Sequence, residues 1–140
     1  MSLFRVPAGF PRCLKFSIQN AIATKRTVAT AAKKEWLCIL PDKANVLDIR
    51  KKVRQGHYDG IPALVQSGRM LAGGAMLDSH PEQAKEVPFR GSMIIYTGET
   101  LEEIRGLIKE DVYAKSGVWD IDNAQIIPYV SAVREPLVKG

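Results

Sequence analysis

From Glu35 onward the hydrophobic positions alternate between short continuous runs and stretches with a helical period. Glu35-Trp36-Leu37-Cys38-Ile39-Leu40 is a short apolar run closed by Pro41-Asp42 and predicts a first strand. Val46, Ile49, Val53, Ile61 and Leu64 keep close to a 3.6-residue spacing and predict a helix, with Asn45 placed to cap its start. Gly60 and Pro62 interrupt this pattern, so the helix is expected to kink there or to give way to a second helix with Pro62 in its first turn. Gly68 ends the helix, and Arg69 to Leu77 reads as a strand whose Gly73-Gly74 pair lets another group approach the backbone. The polar stretch from Asp78 to Arg90 reads as a surface loop long enough to lie over a site. Gly91 to Tyr96 is a third strand. Thr100-Leu101-Glu102-Glu103 is a capping box opening a helix with Leu101, Ile104, Leu107 and Ile108 on its inner side. Lys109-Glu110-Asp111 ends that helix, Gly117 closes a further turn, and Ala124 to Val130 is a fourth strand in which Pro128 marks an edge or bulge.

The order strand, helix, strand, strand, helix, strand, joined by right-handed crossovers, gives an α+β, ferredoxin-like βαββαβ fold: a four-stranded antiparallel sheet with both helices on one face. The other face is left uncovered. The last strand carries apolar residues at both parities, Ile126 against Ile127 and Tyr129, so the open face is expected to bury against a second copy, forming a homodimer.

Charge divides the chain in two. Residues 1–34 hold seven basic residues and no acid, whereas 35–140 hold 13 basic and 15 acidic residues, so the overall +5 belongs to the leader and the domain is close to neutral. A near-neutral body counts against nucleic acid as a partner, because phosphate binding needs a cationic folded surface. The leader is rich in Ser, Thr and Ala, free of acids and lacks an apolar h-region, the profile of a transit peptide addressed to the mitochondrial matrix; otherwise it is a basic tail on a cytoplasmic protein. No run of 18 apolar residues suggests a membrane span. With Cys13 in the leader and Cys38 in a buried strand, neither a disulfide framework nor a cysteine zinc site can be built.

The chemistry concentrates between Arg50 and Met76. Arg50, Arg54 and His57 fall at i, i+4 and i+7, along one side of the helix, and His57 shares the apolar stripe of Val53, Ile61 and Leu64. An imidazole at the edge of such a stripe is half buried, the state in which its proton affinity is most easily tuned. A helix histidine satisfied by a carbonyl is the plain alternative. Arg50 and Arg54 are suited to clamp a carboxylate or enolate oxygen, while Lys51 and Lys52 beside them are solvated surface. Ser92 lacks the strand-to-helix elbow of an acyl-transfer nucleophile and serves at most as a hydrogen-bond donor. His80 with Asp78 and Glu82 is a polar loop rather than a metal site, and Gly73-Gly74 lacks the spacing of a dinucleotide fingerprint.

Pro41-Asp42-Lys43-Ala44, Arg50 and Arg54 ahead of His57, Gly68 to Gly74, Phe89-Arg90-Gly91-Ser92, Asp111 to Trp119, and Pro128-Tyr129 follow one another between Leu40 and Tyr129. In this order they resemble the YCII family, ferredoxin-like proteins related in fold to muconolactone isomerase and other dimeric α+β barrel enzymes. The resemblance implies a catalytic histidine and aspartate in a pocket at the sheet-helix junction. The histidine carries over to His57 and the acid to Asp111 or Asp42, with Arg50, Arg54, Ser92, Tyr113 and Gly74 around a small-molecule substrate. Asp42 and Asp111 also have local roles open to them, helix-start capping and helix-end turn formation. The chain departs from the family pattern at Val112 and Ala75, each in place of a usual proline, and at Gly60 and Pro62 just after His57.

Two function classes follow. One is a small lyase or isomerase without cofactor or metal, in which His57 moves a proton next to a carbonyl of a cyclic or hydroxylated compound and an arginine or Ser92 holds the developing oxyanion. The other is a non-catalytic ligand-binding or assembly module on the same dimer.

Overall fold

The computed structural model describes residues 33–82 and 85–134. The leader expected over 1–34 thus lies outside the described residues apart from Lys33 and Lys34. The elements are β1 (Glu35–Pro41), α1 (Leu47–Gln66), β2 (Met70–Leu77), β3 (Phe89–Thr97), α2 (Leu101–Glu110), the single turn α3 (Val112–Lys115), a 3-10 turn (Ile121–Asn123) and β4 (Gln125–Tyr129). The sheet order is β2-β3-β1-β4 with every neighbouring pair antiparallel. This is the ferredoxin-like α+β arrangement expected from the order of elements.

Strand parity decides what is core. Leu40 stands opposite Ser92, Cys38 opposite Ile94 and Ile126, and Trp36 opposite Tyr96, so these residues share one face. Their apolar members form a single core with Ile104 and Ile108 of α2, Tyr113 of α3, Val118 and Trp119. The i, i+4 spacing of Ile104 and Ile108 puts both on the inner side of α2. Leu37, Ile39, Met93, Ile95 and Ile127, on the other parity, take no part in that core. The burial of Cys38 pushes its thiol up to about 12, so it acts as a small apolar core residue rather than a thiolate.

The helix ends follow local chemistry. Thr100 caps α2 by accepting from the Glu103 N–H at 3.2 Å, and the Glu103 carboxylate reaches back to the Glu99 N–H at 2.8 Å. At the end of α1, Gly68 takes φ 66°, with its own N–H on Val65 and the Arg69 N–H on Leu64, the paired bonds that let a glycine stop a helix. Gly117 (φ 71°) ends α3 the same way, with Val118 bonded to Tyr113.

Two expectations are corrected here. Asn45 does not cap α1: it adopts a left-handed conformation (φ 59°) that asparagine tolerates, and Val46 begins the helix with no side-chain cap. Nor do Gly60 and Pro62 divide the helix, because α1 is one helix of 20 residues. Pro62 removes the donor for the Tyr58 carbonyl, but both residues are exposed, so water can take that acceptor. β3 also starts earlier than expected, at Phe89, which pairs with Leu77 and shortens the preceding loop.

The only fully buried residue of α1 is a cation, Arg50, 5% exposed. Its Nη1 donates to both oxygens of Asp42, at 2.7 and 2.9 Å, and its Nη2 to Ser92 Oγ at 3.2 Å and the Gly91 carbonyl at 3.4 Å. The guanidinium carbon lies 4.8 Å from the Phe89 ring centre and 4.6 Å from that of Tyr113. One side chain thus joins the end of β1, the first turns of α1 and the start of β3. Burial pushes the Asp42 carboxyl above its usual range, and the Arg50 charge and hydrogen bonds pull it back. Desolvation is the larger effect on the carboxyl, and a buried pair of this kind fixes the geometry of the corner. Beside it β3 runs hard against β1: a Cβ on Gly91 would stand 2.3 Å from the Leu40 carbonyl oxygen and 2.9 Å from the Pro41 Cα.

Urea unfolding checks both features. Gly91→Ala forces backbone against backbone and is expected to lower stability by about 1–3 kcal/mol or more. Gly106→Ala, on α2 where an added Cβ meets nothing within 4 Å, is expected to raise it by about 0.5–1 kcal/mol. Asp42→Ala strands a buried guanidinium and is expected to cost about 3–5 kcal/mol, whereas the double change Asp42→Leu with Arg50→Met costs less than that single substitution.

Candidate active site

His57 projects from the middle of α1 towards the loop between α2 and α3. Its Nδ1 lies 2.9 and 2.8 Å from the two carboxylate oxygens of Asp111, and the two side chains are 11% and 10% exposed. The same Asp111 accepts the Tyr113 N–H at 2.8 Å and so caps α3. The local role the sequence offers this aspartate is helix-end turn formation; it caps the next turn instead and pairs with the histidine at once. An ionised carboxylate only accepts, so in the neutral imidazole Nδ1 carries the proton and Nε2 has the free lone pair.

Aromatic rings fix the plane of the imidazole. Tyr113 stacks on it at 4.2 Å between ring centres and 19° between planes, and Trp119 meets it edge-on at 5.7 Å and 83°. The Tyr113 hydroxyl is held above its usual range by burial, against the opposing pull of Arg50. The Trp119 indole N–H donates to Ser92 Oγ at 3.2 Å.

Of these groups His57, Tyr113 and Ser92 border a cavity of about 270 Å³ between α1 and β2. Its lining combines the polar side chains of His57, Arg50, Ser92 and Tyr113 with the apolar Ile61, Met70 and the Ala72 to Ala75 segment of β2. The size and mixed lining suit a single-ring ligand. Gly74 lines it, and a Cβ there would meet nothing within 4 Å. Gly73 is the crowded position, where a Cβ would fall 2.3 Å from the flexible end of Met70.

The residues singled out from sequence therefore separate into two groups. His57, Asp111, Tyr113, Ser92 and Arg50 are brought together. Asp42 is not beside His57: it is bound to Arg50 and does not border the cavity, so its place as an alternative partner of the histidine is corrected. Arg50 borders the cavity with both terminal nitrogens engaged by protein acceptors, so it is not the free clamp expected. Arg54 stands at the exposed rim with its guanidinium on the Tyr58 hydroxyl at 3.1 Å, which raises its already high proton affinity. Trp119 and Met70 had been given no role. The signal for Trp119 was a large indole between two predicted elements, whose buried N–H has to find an acceptor. Among the described residues no group of three or more His, Cys, Asp or Glu is placed to hold a metal.

Comparisons with known proteins agree with this frame. The YCII-related domain model matches residues 35–127. The chain is 34% identical over 106 residues to the aspercryptin biosynthesis cluster protein B of Emericella nidulans, covering 74% of this chain and 67% of that protein. It is also 34% identical over 98 residues to fusaric acid biosynthesis protein 2 of Gibberella fujikuroi, covering 70% and 94%. Among solved structures it resembles the 5-chloro-2-hydroxyhydroquinone dehydrochlorinase of Burkholderia phenoliruptrix, in complex with 2,5-dihydroxybenzoquinone. The TM-score is 0.59 at 18% identity over 69% of this chain and 93% of that one, a likeness of fold. With a family model covering most of the domain and relatives of this similarity, the chain belongs to the YCII-related domain family.

Proposed function

We propose that this protein is a cofactor-independent enzyme in which His57, held by Asp111, moves a proton at a carbon next to a carbonyl in a small hydroxylated ring compound. The observation that carries the reading is the Nδ1 pairing with Asp111 at 2.8 Å. It directs the lone pair of Nε2 away from the protein's own acid, in a residue that borders a ring-sized cavity. In the forward step the substrate C–H bond breaks, its electron pair moves to the carbonyl oxygen as an enolate, and the proton goes to Nε2. Asp111 stabilises the resulting imidazolium; return of the proton to another atom is isomerisation, and loss of a leaving group from the enolate is elimination. The biosynthetic cluster names of the relatives and the quinone bound by the structural neighbour support a small oxygenated ring as the substrate class.

We further propose that the protein works as a homodimer through the face of the sheet away from the helices. Leu37 and Ile95 are directly opposed at its centre, with Ile39, Met93 and Ile127 around them, and none belongs to the core of its own chain.

The test of the first reading is exchange of ring C–H for deuterium in 2,5-dihydroxybenzoquinone, followed by proton NMR. In that exchange a deuteron adds to the enolate carbon, and His57 then removes the original proton from that carbon. The wild-type protein is expected to accelerate exchange, and His57→Gln to lose about 10²- to 10⁴-fold with circular dichroism unchanged. Binding without any exchange by the wild-type protein favours the non-catalytic module instead. For the dimer, sedimentation at micromolar concentration is expected to give a dimer that Ile95→Glu converts to a folded monomer. A wild-type monomer under those conditions rejects that assembly.

A further inference from the structure

Ser92 is 3% exposed, yet it borders the cavity. Its hydroxyl oxygen receives two hydrogen bonds, one from Arg50 Nη2 at 3.2 Å and one from Trp119 Nε1 at 3.2 Å. Guanidinium and indole nitrogens in these states donate and never accept. A hydroxyl has two lone pairs and one proton, so with both lone pairs taken it can only donate. No acceptor for that proton lies among the hydrogen bonds of the described residues, and the residue borders the cavity. Two donors on one oxygen, one of them a cation, also polarise the O–H bond and strengthen it as a donor.

We infer that the Ser92 hydroxyl, locked as a donor by Arg50 and Trp119, is the group that binds the negatively charged oxygen of the substrate. This replaces the arginine as the oxyanion contact: the terminal nitrogens of Arg50 are committed to Asp42, Gly91 and Ser92, so its charge acts on the substrate through the serine. Asp42, bound to Arg50 and remote from His57, is then a positioning residue that keeps the guanidinium turned towards Ser92. The ligand class is a planar enolate, phenolate or hydroxyquinone anion with its charged oxygen at Ser92. The inference rests on the general-base reading for the reaction, but not for the binding of an anion.

The two are tested separately with 4-nitrophenol, whose phenolate is yellow. Titrated in the presence of saturating wild-type protein, its apparent pKa is expected to fall by about one unit, a tenfold shift of the ionisation. The shift is expected to persist in His57→Gln, to vanish in Ser92→Ala and in Ser92→Cys, which keeps the side-chain shape with a weak donor, and to shrink in Trp119→Phe, which frees one lone pair. Thermal melting establishes that each variant is folded. A wild-type protein that leaves the nitrophenol titration unchanged, or a shift that survives in folded Ser92→Ala or Ser92→Cys, overturns the inference. A Ser92-dependent shift in a protein without exchange activity upholds it and defeats the general-base reading alone.

Discussion

The architecture around the cavity depends on a buried guanidinium. Most helices facing a sheet bury leucine or isoleucine at their centre of contact, whereas α1 fully buries only Arg50. A cation there is tolerable only if its hydrogen-bonding demand is met, and Asp42, Ser92 Oγ and the Gly91 carbonyl meet it while the Phe89 and Tyr113 rings lie against it. The cost of desolvating the two charges is visible in Asp42, whose carboxyl is driven up by burial in spite of its partner. A leucine pair would fill the space more cheaply. What apolar side chains would not supply is a fixed orientation for Ser92 or a defined gap between α1 and β3, so the pair trades stability for the shape and polarity of the cavity wall.

Asp111 shows how little sequence is needed to aim an imidazole. One oxygen is held by the Tyr113 N–H of the turn that the aspartate itself begins, and both are within reach of His57. Because the cap bond is local, the carboxylate is positioned before any distant packing is considered. The family pattern has a proline after this aspartate, which would preset the first helical φ. Here Val112 leaves that to the cap, and its side chain lies 3.8 Å from where a Cβ on Gly56 would stand, so a small residue lets α1 come close beside His57.

The fold was legible in the sequence because its signals are local and redundant. The apolar run at 35–40, the Thr100 box and the glycines at 68 and 117 each act within a few residues, and they agree with one another. The sites of failure are where local chemistry had two solutions. Asn45 suits both a helix cap and a left-handed turn, and the turn wins: the N-cap position falls one residue later, to the buried Val46. Pro62 is a breaker only where a lost donor cannot be replaced, and exposure of that side of α1 removes the penalty. The resemblance offered both acids to His57, and the choice between them was not legible. Asp42 and Asp111 are both near element ends, and only the sheet register, which sets Pro41 opposite Gly91, reveals that Asp42 arrives beside Arg50.

The separation of the two acid–cation pairs bears directly on the chemistry. Arg50 and His57 lie two turns apart on one side of α1, and the Tyr113 ring fits between them, with its centre 4.6 Å from the guanidinium carbon and 4.2 Å from the imidazole centre. In the proposed reaction, when His57 takes a proton, a second cation appears at most about 9 Å from the first, a repulsion of about 2 kcal/mol or more at an effective dielectric near 20. That repulsion opposes the very step a general base performs. It is offset because each cation has its own carboxylate, Asp42 against Arg50 and Asp111 against His57, so the proton transfer creates an ion pair beside an existing ion pair rather than a charge beside a charge. Exchanging the acids' roles, with both turned to one cation, would leave the other unbalanced in a largely buried site. In the proposed reaction Asp42 thus bears on the histidine without touching it, by neutralising Arg50 on the far side of the Tyr113 ring.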